Sequence, residues 1–152
     1  MRDDLPLSVT HEVRDRCLCL HLQRAARAVG RLFDDALKPV GITNGQYSLL
    51  VSLNRPQPPR MGEVARLLAM DRTTLTAALK PLERRGLLNV SPDPKDKRSR
   101  RLRLTEAGLD LIKQAVPVWR ATHDEVDTLL RGGSPEALRR DLLALTFGEA
   151  AR

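Results

Sequence analysis

The stretch DPKDKRSRRLRLT, residues 93–105, places six basic side chains (Lys95, Lys97, Arg98, Arg100, Arg101 and Arg103) within thirteen positions. Like charges crowded in this way repel one another unless water or an anionic partner receives them. The end of the stretch also alternates, Leu102 and Leu104 against Arg101 and Arg103, with the period of two that belongs to a strand. Upstream, LLNVS (87–91) alternates Leu88 and Val90 against Leu87 and Asn89. The two segments read as an antiparallel pair with one apolar and one charged face. Residues 92–100 are the connecting tip, and Pro92 and Pro94 limit its freedom. Charge on such a hairpin can serve only to keep a sheet edge from aggregating. Here the charge continues onto the preceding helix, which favours an anionic partner.

The rest of the chain is patterned for helices. Aromatic residues are only 3% of the composition, so the core must be built from Leu, Val and Ala. Residues 17–38 read as a helix, with Cys19, Leu22, Ala26, Val29, Phe33 and Leu37 recurring at three- and four-residue steps. Pro39 and Gly41 stop it, and Thr43 or Asn44 caps a second helix reaching about Leu53. Three prolines stiffen the loop NRPQPPR, 54–60. A short helix, Gly62–Leu68, follows with Val64, Leu67 and Leu68 inward; Met61 is a poor cap for it. After a break at 69–71, Asp71 caps RTTLTAALKPLERRG, which Gly86 ends. Leu75, Leu79 and Leu82 make one stripe of that helix, and Pro81 inside it predicts a local bend. Thr105 caps a long helix over about 106–131, with a kink expected at Pro117, and Ser134 caps a last one.

Length and charge bound the function. A chain of 152 residues suits a single domain, 1–152. Charged residues are 30%, and no apolar run of about 18 residues exists, so no membrane span is expected. The first residues, MRDDLPLSVTHEV, lack the apolar centre of a signal peptide, which predicts a cytoplasmic protein. Residues 1–54 carry 7 basic and 6 acidic side chains, residues 55–103 carry 13 and 5, and residues 104–152 carry 6 and 8. The excess of the net +7 therefore lies entirely in the middle third, the footprint expected for a polyanion.

Two short helices joined by a tight turn and followed by a two-stranded hairpin make a winged helix-turn-helix pattern. A helix about 10–12 Å wide fits the major groove of DNA, provided its outer face carries hydrogen bonders and cations. Arg72, Thr73, Thr74, Thr76, Lys80 and Arg84 supply that face, and Glu83 falls off it. Lys95, Lys97, Arg98 and Arg100 form a basic tip suited to a minor groove. The same fold used as a protein-interaction module needs an apolar recognition face, which this one is not. No paired carboxylates, nucleophile motif or phosphate-cradling glycine loop suggests an enzyme, and no cofactor is implied.

The stretches GITNGQYSLL, MGEVARLLAMDRTTLTAALKPLERRGLL, DPKDKRSRRLRLTEAG and AVPVWRAT resemble the MarR family of transcriptional regulators over about residues 15–147. The resemblance implies a mostly α fold of about six helices with a two- or three-stranded β-wing. Residues 43–105 would form the DNA-binding part, and 11–40 and 106–150 the dimerisation helices. It further implies a homodimer on palindromic double-stranded DNA, most often a repressor, released by a small-molecule effector such as an aromatic acid. Arg98 holds the position of the family's minor-groove arginine. The family's effector pocket makes Cys19, Gln23 and Trp119 candidates.

By its spacing to Tyr47, Cys19 also falls where the organic-hydroperoxide-sensing branch of the family keeps a reactive thiol, which makes an oxidation-sensing repressor the alternative. The tyrosines of that branch are matched by Phe33 and Asn44, and Phe33 donates no hydrogen bond. A free cysteine on an apolar face otherwise reads as core or pocket lining. Cys17 and His21 lie one helical turn apart, but a zinc site needs three or four converging ligands, so no metal is expected.

Overall fold

The structure, a computed structural model, describes residues 4–147; the first three and last five residues, including 148–150 of the expected dimerisation segment, lie outside the described residues. It contains seven α-helices and one antiparallel hairpin. In chain order these are α1 (Leu7–Arg16), α2 (Leu18–Leu37), α3 (Asn44–Ser52), α4 (Met61–Leu67), α5 (Arg72–Arg84), β1 (Leu88–Pro92), β2 (Arg100–Leu104), α6 (Glu106–Thr128) and α7 (Pro135–Phe147). A single 3-10 turn, Lys38–Val40, ends α2.

The first helical stretch differs from its expected form. One helix from residue 17 becomes two, and the count rises from about six to seven. Cys17 leaves helical geometry (φ −73°, ψ 100°), and its Sγ accepts the Leu20 N–H at 3.4 Å. The thiol thus acts as the N-cap of α2, and α1 stands ahead of it with none of its residues buried. The expected segment 11–40 therefore spans the end of α1 as well as all of α2.

Caps define the remaining helices. Thr43 and Gln46 form a reciprocal capping box at α3, with bonds of 3.2 and 3.1 Å. At α4, Glu63 compensates for the weak start: its carboxylate accepts the Arg60 N–H at 2.9 Å, and the helix begins at Met61. Leu67, expected inward, is exposed; the inward side of α4 is Met61, Val64 and Ala65. Asp71 caps α5 as the sequence implies, and α5 runs through Pro81 to Arg84. Helix α6 continues through Pro117 and ends at Thr128, three residues earlier than about 131.

The core is centred on the helix-turn-helix. Leu49, Leu50 and Leu53 of α3, Val64 of α4, and Leu75, Leu79 and Leu82 of α5 meet Leu88, Leu102 and Ile112. In the hairpin Leu88 pairs with Leu104 and Val90 with Leu102, so the apolar set of both strands faces α5 and α6. Fully burying a leucine such as Leu102 contributes about 1.5–3 kcal/mol. A second cluster, Leu37, Ile42, Tyr47 and Ala115 with Trp119 against it, joins α2 and α3 to α6. The start of α6 is locked to the end of α5: Thr105 Oγ1 accepts the Gly108 N–H at 3.1 Å and donates to the Gly86 carbonyl at 2.7 Å. Gly108 is buried against the Leu87 backbone.

A buried carboxylate anchors the wing. Asp93 is 1% exposed. It accepts the Lys95 N–H (2.8 Å), Arg60 Nε (2.9 Å) and Arg101 Nε (2.7 Å). Arg101 Nη1 also donates to the Pro58 carbonyl at 2.7 Å, and the Leu102 N–H to the Pro59 carbonyl at 3.0 Å. Arg60 and Arg101 form an isolated bridge, so the third strand of the wing shrinks to one residue pair.

Two outcomes are expected. A Cβ on Gly108 would run into the Leu87 carbonyl oxygen and meet Leu104 Cδ1 at 2.9 Å. Gly108→Ala should therefore lower stability by about 1–3 kcal/mol in urea denaturation, whereas Gly133→Ala, with open space around it, should shift it by less than about 0.5 kcal/mol. The Lys95 N–H and then the two guanidiniums hold the Asp93 carboxyl down from 3.8 to about 2, against the opposing effect of burial. A depressed carboxylate stabilises the fold above its unfolded value and loses that contribution as pH falls. The gap in melting temperature between the native protein and Asp93→Asn should thus be constant above about pH 5 and close as pH falls from 3.8 to about 2.

Candidate nucleic-acid interface

Helix α5 divides cleanly. Leu75, Leu79 and Leu82 are buried, while Arg72, Thr73, Thr74, Thr76, Lys80 and Arg84 are exposed. Two of the threonine hydroxyls are committed within the protein. Thr74 Oγ1 donates to Asp71 Oδ2 (2.7 Å), and Thr76 Oγ1 donates to the Arg72 carbonyl (2.7 Å). Thr74 therefore completes the cap, and its hydroxyl and then its N–H hold Asp71 below the ordinary carboxylate range. The one carboxylate in the last turns, Glu83, bends toward the hairpin and accepts the Val90 N–H at 3.3 Å. The outer face of α5 is left cationic.

The wing tip is ordered by aspartates rather than by a helix or strand. Asp93 accepts from the N–H two residues on, and Asp96 does the same from Arg98 at 3.0 Å. Lys95, Lys97, Arg98 and Arg100 stay exposed around these turns.

Helix and wing meet across one cleft of about 490 Å³, lined by Arg60, Gly62, Glu63, Arg66, Arg72, Asp96, Arg98 and Ser99. Arg72 opens α5 and Arg98 crowns the wing, so these two expected contacts share a concave surface. Lys80 and Arg84 lie farther along α5, outside that cleft. Lys95 lines a second hollow of about 380 Å³ on the hairpin, with Pro94, Arg101 and Arg103. Arg60 and Arg66 were not singled out from sequence. Their position in and just before the first helix of the helix-turn-helix is the available signal, but cations there look like any solvated face.

The effector candidates separate. Trp119 stacks on Tyr47 (centroids 6.1 Å apart) and meets His123 edge-on at 5.0 Å. With Val51, Leu67, Leu68 and Arg120, Tyr47 and Trp119 line a concavity of about 460 Å³ between α3, α4 and α6. Burial pushes the Tyr47 hydroxyl's pKa up, and the Arg120 charge partly offsets it. Cys19 and Gln23 are not in that concavity. Cys19, expected as core or pocket lining, is exposed on α2, and its Sγ accepts Gln23 Nε2 at 3.2 Å. The reason is that Leu22, Val29 and Phe33, not Cys19, form the side of α2 turned toward the protein. His21 Nδ1 lies 2.9 Å from the Cys17 carbonyl oxygen, and no group of three or more His, Cys, Asp or Glu converges among the described residues.

Comparison with known proteins places this geometry. The model of the MarR family matches residues 42–99, from the start of α3 to the wing tip. The crystal structure of the M. tuberculosis transcriptional regulator MosR in complex with DNA superposes with a TM-score of 0.80 at 36% identity, over 90% of this chain and 98% of that one. The transcriptional activatory protein BadR of Rhodopseudomonas palustris is 32% identical over 113 residues, 72% of this chain and 65% of its own length. The HTH-type transcriptional repressor NicR of Pseudomonas putida is 28% identical over 118 residues, 78% of this chain and 72% of that protein. The chain belongs to the MarR family of transcription regulators.

Proposed function

We propose that the protein is a homodimer that binds palindromic operator DNA in the cytoplasm, represses transcription there, and is released by a small-molecule effector. It acts by binding and not by catalysis. The observation that carries this reading is the shared cleft, with Arg72 at the start of α5 and Arg98 at the wing tip on its two sides. In this arrangement α5 enters the major groove. Arg72, Thr73, Thr76 and Lys80 face base edges there, Arg84 faces phosphate, and Thr74 shapes the first turn. Lys95, Lys97, Arg98 and Arg100 approach the neighbouring minor groove, whose negative potential attracts arginine.

Residues 43–105 form the DNA-binding part in this reading. The dimer forms through segments 11–40 and 106–150. Its support is the apolar surface the single chain leaves open: Val13, Leu18 and Leu32 on α1 and α2, and Leu138, Leu142, Leu143 and Leu145 on α7 are all exposed. No helix of the described residues is long and apolar enough to cross a membrane, so this surface is not a span. The effector fits the Tyr47–Trp119 concavity, where stacked rings, an apolar wall and Arg120 suit a small aromatic acid. A recognition face of threonines and cations is unsuited to the protein-interaction use of the fold.

A second reading, thiol-based release, draws on the exposure of Cys19, which a sensor thiol requires.

For the main reading, an operator selected from random duplexes should bind with an affinity that falls steeply with salt. Arg98→Ala should weaken it by about 1–3 kcal/mol, and Lys97→Ala should flatten the salt slope by about one. Fluorescence anisotropy across salt concentrations measures both, and an Arg98→Ala protein with native affinity would remove the wing from the interface. For the second reading, hydroperoxide should release DNA from the native protein and not from Cys19→Ser; release from both would end it.

A further inference from the structure

Two cations of the middle third are paired with an anion of the protein itself. Arg60 and Arg101 approach one oxygen of Asp93 from two directions, at 2.9 and 2.7 Å. Arg60 precedes α4, Arg101 lies on β2, and Asp93 opens the wing tip. One carboxylate thus ties the first helix of the helix-turn-helix, the returning strand and the tip together. The tie is reinforced where Arg101 also donates to the Pro58 carbonyl and the Leu102 N–H to the Pro59 carbonyl. Both carbonyls belong to the proline-rich loop, and Pro59 is fully buried. The Arg101 side chain is 27% exposed and Asp93 is sealed, while the Arg60 side chain is 43% exposed and also lines the cleft between α5 and the wing.

We propose that Arg60, Asp93 and Arg101 are positioning residues that hold the wing at one angle to α5, and that this fixed span between Arg98 and Arg72 gives the protein its preference for operator over other DNA. The proposal rests on the DNA-binding reading and deepens it. Phosphate contacts carry no sequence information, and a loosely hinged basic hairpin still makes them in many poses. Reading two adjacent grooves at once requires both elements in register, and a mobile wing must be ordered on binding at an entropic cost. Loss of the tie should therefore reduce operator affinity selectively.

The competing role for the two arginines is direct contact with DNA, with Asp93 only moderating their charge. The two roles predict different results for Asp93→Asn, which removes one negative charge and frees two guanidiniums. Contact cations would tighten binding to every duplex alike. Positioning cations would leave scrambled duplex bound at least as tightly as before while operator binding weakens.

The experiment measures the affinity of the full-length protein for a selected operator and for a scrambled duplex of equal length, by anisotropy at two salt concentrations. The variants are Asp93→Asn and Arg101→Lys. Lysine keeps the charge of Arg101 but lacks the planar fork that reaches both Asp93 and the Pro58 carbonyl. The operator-to-scrambled ratio is expected to fall about tenfold in each variant. Equal tightening on both duplexes by Asp93→Asn overturns the proposal, as does a native ratio in Arg101→Lys. Circular dichroism checks the folding of each variant, and if Asp93→Asn is unfolded, Arg101→Lys decides. Native protein that binds no duplex at low salt overturns the DNA-binding reading and the proposal with it, whereas a native ratio in a folded Arg101→Lys overturns the proposal alone.

Discussion

At the root of the wing, two guanidiniums from separate parts of the chain converge on a carboxylate that water does not reach. Bringing Arg60 and Arg101 this close without an anion would set like charges against each other in a low-dielectric setting. Burying Asp93 alone would leave an unpaired charge where it is costly. Together, with the Lys95 N–H on the other oxygen, the three groups satisfy one another through short charge-assisted bonds. One acid against two bases still leaves the region positive, so the wing keeps its attraction for a polyanion while gaining a defined direction.

The apolar core performs the matching task for the helix. Leu75, Leu79 and Leu82 fix the rotation of α5, so its threonines and cations must face out. Asp71 and Thr74 set where that helix starts and thereby where Arg72 points. Leu102, buried between the wing and α5, makes the hairpin part of the same core. Thr105 and Gly108 then lock α6 to the end of α5. Trp119 and Tyr47 hold α6 to α3, whose Leu49, Leu50 and Leu53 belong to the core of the helix-turn-helix.

Much of this was legible in order and in kind. The Asp71 and Thr105 caps and the pairing of Leu88 and Val90 with Leu104 and Leu102 are local properties, carried by residue type and by periods of two and 3.6. The departures came where a residue did something its type does not advertise. Cys17 broke a helix by capping the next with its sulfur, and Glu63 rescued a start that Met61 could not cap. Leu67 turned outward because Met61, Val64 and Ala65 already filled the inner side of α4.

The sequence by itself determined most of the elements, their order and the placement of the excess positive charge in one third of the chain, because helix and strand periodicity and net charge are additive along neighbouring residues. Only the tertiary structure decided which cations are paired within the protein and which are left exposed. Arg98, Arg101 and Arg60 are the same residue type in similarly charged surroundings. Yet Asp93 claims the second from 8 residues away and the third from 33, and leaves the first exposed. That choice is made by distance in space, through bonds that act only within about 3 Å and so cannot be read from separation along the chain.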